Sequence, residues 1–367
     1  MGIILKNTSF VGFGAVPRKR DRTKAYLYFK SQAQSLFDFG EARNAEDIFR
    51  VTLLASLNNG YVEGSADTLS LCGQTVRNHL KQQEPKRILQ ANVALLQEMK
   101  RHGAFSRLLT LAIDLHDEMY YGAPETQGVA GTKPKKGTYY AYRFATASVL
   151  LDGQRFTLAV EPIIKLSVLE HVRQLINQIL DLGVKIRLIL FDRGYFSTAL
   201  INYLNTLPFG YIIQLPASIK GLKEGEDRLY TTRRHGTRKR DQATFRLVTF
   251  MGKDFHGKLK LFIFATNTSL KPRRIRRVFR KRWGIETSYR MIRKFLAKTT
   301  SRRYRIRLLY FYLAVVLYNL WVKLNFRWDE PLSADVLRLH LAVFLVVSFL
   351  PDLEEPIDGE LSLQEEL

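Results

Sequence analysis

Apolar residues recur at helical spacing from residue 45 to Asn58-Asn59-Gly60, whose turn chemistry predicts the end of a helix. Residues 65–71 predict a short helix, Cys72-Gly73 a tight turn, and residues 74–82 a second helix carrying Val76 and Leu80 inward at i,i+4. That layout is a helix-turn-helix. Gln74, Arg77, Asn78 and Lys81 fall on the outer face of its second helix, and all four are types that bond base edges or phosphates. Pro85 breaks the chain, and a further amphipathic helix is expected to about residue 101. Before residue 40 the pattern is irregular and basic, with a cationic cluster at 18–22.

Strand-like periods begin after residue 102. Residues 108–115 are nearly all apolar, as a buried strand requires, and run into Asp114-Leu115-His116-Asp117. Residues 122–137 read as a polar loop, followed by two strands at 138–151 and 155–163 that Asp152-Gly153 joins as a hairpin turn. A helix over 166–182 stops at Gly183, and a second buried strand at 185–191 delivers Asp192-Arg193-Gly194-Tyr195 ahead of another helix at 196–205. Three consecutive strands, a crossover helix and a strand beside the first describe a ribonuclease-H-like α/β layer, which pattern alone leaves as one of several α/β folds. Strands expected at 210–215, 243–250 and 258–265, around a basic loop at 233–240, read as a β-rich insertion. Two later apolar stretches, 308–322 and 339–350, fall short of the ~20 residues of a membrane span and predict buried core helices. The expected organisation is a helical region at 1–102, a first catalytic part at 103–206, the insertion at 207–268, a second catalytic part at 269–350 and an acidic tail at 351–367.

Composition narrows the partners. The chain has 367 residues, 46% hydrophobic and 25% charged, enough for a sizeable core, and its formal charge is +23. So large an excess points to a polyanion, with nucleic acid, a membrane surface and the ribosome as alternatives. One cysteine, Cys72, excludes an internal disulfide framework and a thiolate zinc cluster. The first residues lack the apolar core and cleavage site of a signal peptide, so a cytoplasmic location is expected.

Glu286 is the only carboxylate between residues 255 and 328, a stretch crowded with Lys and Arg. Phe279, Arg282, Glu286 and Arg293 share one face of the helix expected there. Two readings are open: an Arg282/Glu286/Arg290 ladder of i,i+4 ion pairs, or a metal-binding carboxylate among cations that hold a polyanion. Asp114 and Asp192 at strand ends join Glu286 as a possible trio, with Asp117 and Glu118 as alternatives to Asp114 and His116 as a structural neighbour. Three carboxylates without cysteine suit an all-oxygen site for Mg²⁺ or Mn²⁺, in which two ions can activate a hydroxyl and stabilise a leaving oxygen.

The motif Ala112-Ile113-Asp114, the motif Leu190-Phe191-Asp192-Arg193-Gly194-Tyr195-Phe196, Arg282-Trp283-Gly284-Ile285-Glu286 and Leu317-Tyr318-Asn319-Leu320-Trp321 occur in that order. With them the chain resembles DDE insertion-sequence transposases of the IS4 superfamily, archaeal members above all, over about residues 105–325. The glutamate signature of that superfamily is Y-x₂-R-x₃-E-x₆-K, and here it reads Phe279, Arg282, Glu286 and Arg293. The resemblance implies a ribonuclease-H-like core with a β-rich insertion before the glutamate helix. It implies metal-dependent cleavage at element ends and strand transfer by a cut-and-paste route, with Asp114, Asp192 and Glu286 both catalytic and holding two Mg²⁺ or Mn²⁺. Terminal inverted repeats and target duplex are the implied partners of a homodimer working in a prokaryotic nucleoid, with no membrane. DNA contacts are expected from Phe279, Arg282, Arg293, Arg193, Arg290 and Lys294, besides the outer face of the helix-turn-helix. A DNA-binding protein or domesticated nuclease of the same fold is the alternative.

Overall fold

The computed structural model of the chain describes residues 22–40, 42, 44–151, 155–164, 167–216, 222–232, 242–253, 257–326 and 331–347. Residues 18–21 of the basic cluster, the Asp152-Gly153 turn, the loop at 233–240 and the acidic tail lie outside them.

Among the described residues five helices come first: α1 (Arg22–Gln34), α2 (Ala45–Leu57), α3 (Val62–Thr68), α4 (Gly73–Gln82) and α5 (Pro85–Arg101). Helix α1 stands where an irregular segment is expected. Its buried stripe is Ala25, Tyr26, Phe29 and Ala33, and two alanines among lysines give little hydrophobic signal. The α3–α4 pair has the expected helix-turn-helix order, with Val76 and Leu80 buried. Ser70, at φ 51°, takes the left-handed position in its turn. Gly73 is needed for a different reason, since a Cβ there would lie 3.2 Å from the Glu63 backbone.

Among the described residues nine strands form one sheet: β1 (Leu109–Tyr120), β2 (Val129–Lys135), β3 (Thr138–Val149), β4 (Thr157–Pro162), β5 (Ile186–Phe191), β6 (Gly210–Gln214), β7 (Asp227–Thr231), β8 (Thr244–Lys253) and β9 (Leu259–Thr266). β1 and β4 both pair antiparallel with β3, whereas β1 and β5, and β5 and β6, run parallel. The order β4-β3-β1-β5-β6, with α6 (Val168–Asp181) crossing to β5 and α7 (Thr198–Asn205) to β6, is the ribonuclease-H-like arrangement. A Ser167–Glu170 capping box starts α6, and Gly183 at φ 64° follows its end.

β6 belongs to this core rather than to an inserted unit, and β9, β8 and β7 widen the same sheet from its edge. β7 has no apolar alternation and is mostly exposed, which is why its sequence does not announce a strand. β1 runs past the predicted 115 because its ladder with β3 continues to Tyr120, through polar residues that hide the strand period.

The remaining helices are α8 (Pro272–Arg280), α9 (Gly284–Lys294), α10 (Tyr304–Asn325) and α11 (Ala334–Val347). α10 is long and apolar enough to cross a membrane, yet 83% of its apolar window is buried inside the molecule, as a core helix requires. It packs along α5 and against α9. α11 is only half a core helix: Leu337, Leu341 and Leu345 are buried while Leu339, Val343 and Val347 are more than half exposed.

Candidate active site

The parallel ladder between β1 and β5 ends at the pair Ile113 and Phe191, so Asp114 and Asp192 are the next residue on each strand. Asp114 stays within β1, and its Oδ1 accepts from the Leu115 amide at 2.8 Å. Asp192 leaves the sheet and opens a 3₁₀ turn (Arg193–Tyr195), accepting from the Arg193 amide at 2.7 Å. A second 3₁₀ turn, Lys281–Trp283, links α8 to α9 and points Arg282 at both. Arg282 Nη1 donates to Asp114 Oδ2 at 2.8 Å, and its Nη2 lies 4.0 Å from Asp192 Oδ1. Its Cζ stands 5.6 Å from the centre of the Phe279 ring, and its buried Nε has no hydrogen-bond partner among the described residues.

Burial pushes the Asp114 carboxyl above the ordinary aspartate range. Arg282 opposes that rise, while the negative charges of Asp192 and Glu286 add to it. The charges of Asp192 and Glu286 therefore both reach Asp114. Glu286, in the first turn of α9, is exposed and has no hydrogen-bond or ion-pair partner among the described residues. The ion-pair ladder is not formed: Arg282 turns to the aspartates, and Arg290 donates to Thr287 Oγ1 at 3.5 Å.

The donor chemistry fits a hard divalent cation, since every available ligand atom is a carboxylate oxygen and two of the carboxylates already converge on a cationic group. Among the described residues no three His, Cys, Asp or Glu side chains approach closely enough to hold one ion as they stand. The guanidinium of Arg282 occupies the position between Asp114 and Asp192.

The alternative first acids are engaged elsewhere. Arg143 grips Asp117 with two bonds of 2.7 and 3.2 Å, Thr132 adds a third at 3.0 Å, and these outweigh burial to hold its carboxyl below the usual range. Glu118 bonds His116; burial works to raise its carboxyl, but His116, Arg293 and Arg307 bring it below the usual range. His116 is sandwiched between Tyr289 and Phe311, with ring centres 5.0 and 5.2 Å away, a packing role as expected.

The expected DNA-contacting residues divide. Arg193, Arg290 and Arg293 are exposed, and Arg293 also donates to the Asp117 carbonyl at 3.3 Å. Lys294 is tied to Asp335 of α11. The expectation that Phe279 touches DNA fails, because its ring is buried against Phe264 at 4.9 Å and beneath Arg282. On α4, Gln74, Arg77, Asn78 and Lys81 share the outer side and bond one another: Gln74 to Asn78 at 2.8 Å, Arg77 to Gln74 at 2.6 Å and Lys81 to Asn78 at 3.0 Å. Arg77 also pairs with Glu63 on α3.

Two site residues escape sequence reasoning. Tyr195 and Tyr289 are buried where the Asp114 charge reaches them, and burial first, then that charge, raises both hydroxyl pKa values. Tyr289 bonds Thr146 at 2.7 Å, which holds α9 against β3, while the Tyr195 hydroxyl has no partner among the described residues. Their signals were present: Tyr195 closes the Asp192-Arg193-Gly194 motif, and Tyr289 follows Glu286 by three residues on the buried side of α9. A cleft of about 670 Å³ lies farther along β1, lined by Glu118, Arg293 and Arg302 among others, and does not include the three acids.

Among protein families, the model described as Transposase DDE domain matches residues 124–320, more than half of the chain. The matched span holds Asp192, Arg282 and Glu286, and Asp114 lies just ahead of it. No curated protein matches the chain. Among solved structures it is similar to a piggyBac transposase in a synaptic complex with hairpin DNA, at 11% identity and a TM-score of 0.49, covering 95% of this chain and 76% of that one.

Proposed function

The chain belongs to the DDE transposase family, and on that premise we propose that Asp114, Asp192 and Glu286 are the carboxylates at which it cuts and rejoins DNA. A transposase acts on DNA, and DDE transposases use divalent metal ions. We assign two Mg²⁺ or Mn²⁺ ions here, held by Asp114 and Asp192 with Glu286 completing one of the two ligand sets. When bound, such ions supply Lewis acidity to a phosphodiester and to the oxygen that attacks it.

The chain's own groups do the rest. The end of the β1/β5 ladder fixes the two aspartates side by side, and that register is the observation that carries the proposal. Arg282 neutralises them and orients both carboxylates. Glu286, exposed one helical turn later and without a partner among the described residues, stands ready to close on a ligand. Water first opens a phosphodiester at the element end and leaves a 3′-hydroxyl, which then displaces a 3′-oxygen in the target strand, so that one bond forms as one breaks. Arg193, Arg290 and Arg293 stand exposed to hold phosphates. Base-edge donors and acceptors on α4 support a role for the helix-turn-helix in reading the terminal inverted repeat.

We further assign the chain to the IS4 superfamily, whose signature spacing Phe279, Arg282, Glu286 and Arg293 keep, and to its archaeal side by the general resemblance of its motifs to the archaeal members. Joining two ends calls for a homodimer in the synaptic complex, working in the cytoplasm at the nucleoid. The test is Mg²⁺-dependent nicking of labelled duplex taken from the DNA that flanks the gene. Wild type should cut, and Asp192→Asn and Glu286→Gln should bind the same duplex and leave it whole. Cutting by either variant at the wild-type rate, or binding without nicking by wild type, would overturn the assignment.

A further inference from the structure

α8 carries five arginines in nine residues. Ile275 and Phe279 face inward at i,i+4 and are buried, so the helix is seated on the widened part of the sheet through Phe264. Arg276 is part of that seat, with its guanidinium 5.5 and 5.9 Å from the ring centres of Phe250 and Phe262. On the other side Arg273, Arg277 and Arg280 are exposed, and among the described residues they line a groove of about 670 Å³ with Arg276 and Lys281. None of Arg273, Arg277 and Arg280 has a carboxylate or hydrogen-bond partner among the described residues. Like charges at i,i+4 repel. Such repulsion, repeated between 273 and 277 and between 276 and 280, persists where an anion from outside relieves it.

We infer that this face holds the phosphodiester backbone of the target duplex. From residue 273 to 281 the helix advances about 12 Å at 1.5 Å per residue, a length of about three phosphates of one strand. The row ends at Lys281, the neighbour of Arg282, and so leads the strand toward Asp114 and Asp192. Among the described residues its lining is arginine and lysine only, with no Asn, Gln, Asp or Glu to pair with adenine or cytosine. Such a row suits DNA held mainly through its phosphates, whereas α4 carries Gln and Asn besides Arg and Lys, the mix expected to read an element end. The inference rests on the transposase reading, and the experiment below separates the two.

The variant is R273Q/R277Q/R280Q, with Arg276 kept because it packs against the sheet. Three readouts are taken: nicking of an element end, joining of a pre-nicked end to a plasmid, and the salt dependence of binding to a random-sequence duplex. Joining should fall roughly tenfold or more near 150 mM salt, and the slope of log affinity against log salt should shrink by about 2 to 3. End nicking should stay within about twofold, and R273K/R277K/R280K should restore both joining and slope. An unchanged slope overturns the inference, and so does a fall in end nicking as deep as the fall in joining. A wild-type chain that nicks nothing defeats the catalytic reading instead, and the slope still decides whether this face binds duplex.

Discussion

Arg282 stands where a cation is required and holds Asp114 and Asp192 apart from direct repulsion. Its side chain is 7% exposed and that of Asp114 17%, so the pair is desolvated and its loss is felt in full. Arg282→Ala should destabilise the metal-free protein by about 3 kcal/mol, the usual consequence of leaving one buried charge unpaired. Arg282→Lys should recover only part, since a point charge does not fork between two carboxylates. Urea unfolding in EDTA and in MgCl₂ checks this, and the deficit of the Ala variant should shrink in Mg²⁺ as the ion takes over the neutralising role. A deficit indifferent to Mg²⁺ would show that no ion enters between the aspartates. At this scale the sequence was most legible where chemistry is rare. Glu286 stands out because nothing else acidic surrounds it, and the strand-end aspartates because acids seldom end apolar runs. The burial of Phe279 was not legible, since an aromatic residue on a basic helix looks alike whether it faces a sheet or DNA. Only the packing of Phe264 against it decides.

β1 carries acids of opposite titration behaviour within five residues. The Asp114 carboxyl is raised by burial, so the folded state binds its proton more tightly than the unfolded chain does. Its contribution to stability is present below the ordinary aspartate pKa of about 3.9 and is lost as pH rises toward the folded value. Asp117 and Glu118 are lowered by their cationic partners, so their contributions hold above about 4 and are lost as pH falls through the folded values. In EDTA, Glu118→Gln should therefore flatten the acid limb of a urea-midpoint curve below about pH 4. Asp114→Asn should remove a decline on the other side of that point. Both variants following the wild-type curve would mean that neither group titrates differently on folding. Elements with a clean period were legible: β3, β4, α6, β5 and β9 stand close to their expected places. α1 and β7 were not, the first because its stripe is half alanine, the second because it is an exposed edge whose strand form depends on pairing with β8.

At the scale of the molecule, the order of elements was legible but the way they share a core was not. A change of period near residue 102 marks the expected end of the helical region, yet burial runs across it. α5 lies along α10, the most buried helix of the catalytic part, and polar groups lock the two together. Asn319 on α10 accepts from the Thr157 amide at 3.0 Å and donates to Asn92 on α5 at 2.7 Å, all within the interior. Lys323 on α10 reaches Glu98 on α5 at 2.6 Å. Ile88, Leu95, Leu96 and Met99 add four buried apolar side chains from α5, each worth about 1.5 to 3 kcal/mol. Their loss alone approaches the whole stability of an ordinary domain, about 5 to 15 kcal/mol. A chain beginning at residue 103 should therefore fail to fold: it would strip one side of α10 and take Asn92 from Asn319 and Glu98 from Lys323 in an apolar setting. Circular dichroism and urea titration of that truncation, beside one beginning at residue 84, separate the contribution of α5 from that of the helix-turn-helix. The longer fragment keeps the α5–α10 seam and should unfold cooperatively at lower urea than the full chain, whereas a cooperative transition in the shorter one would show that the seam is dispensable to the catalytic core.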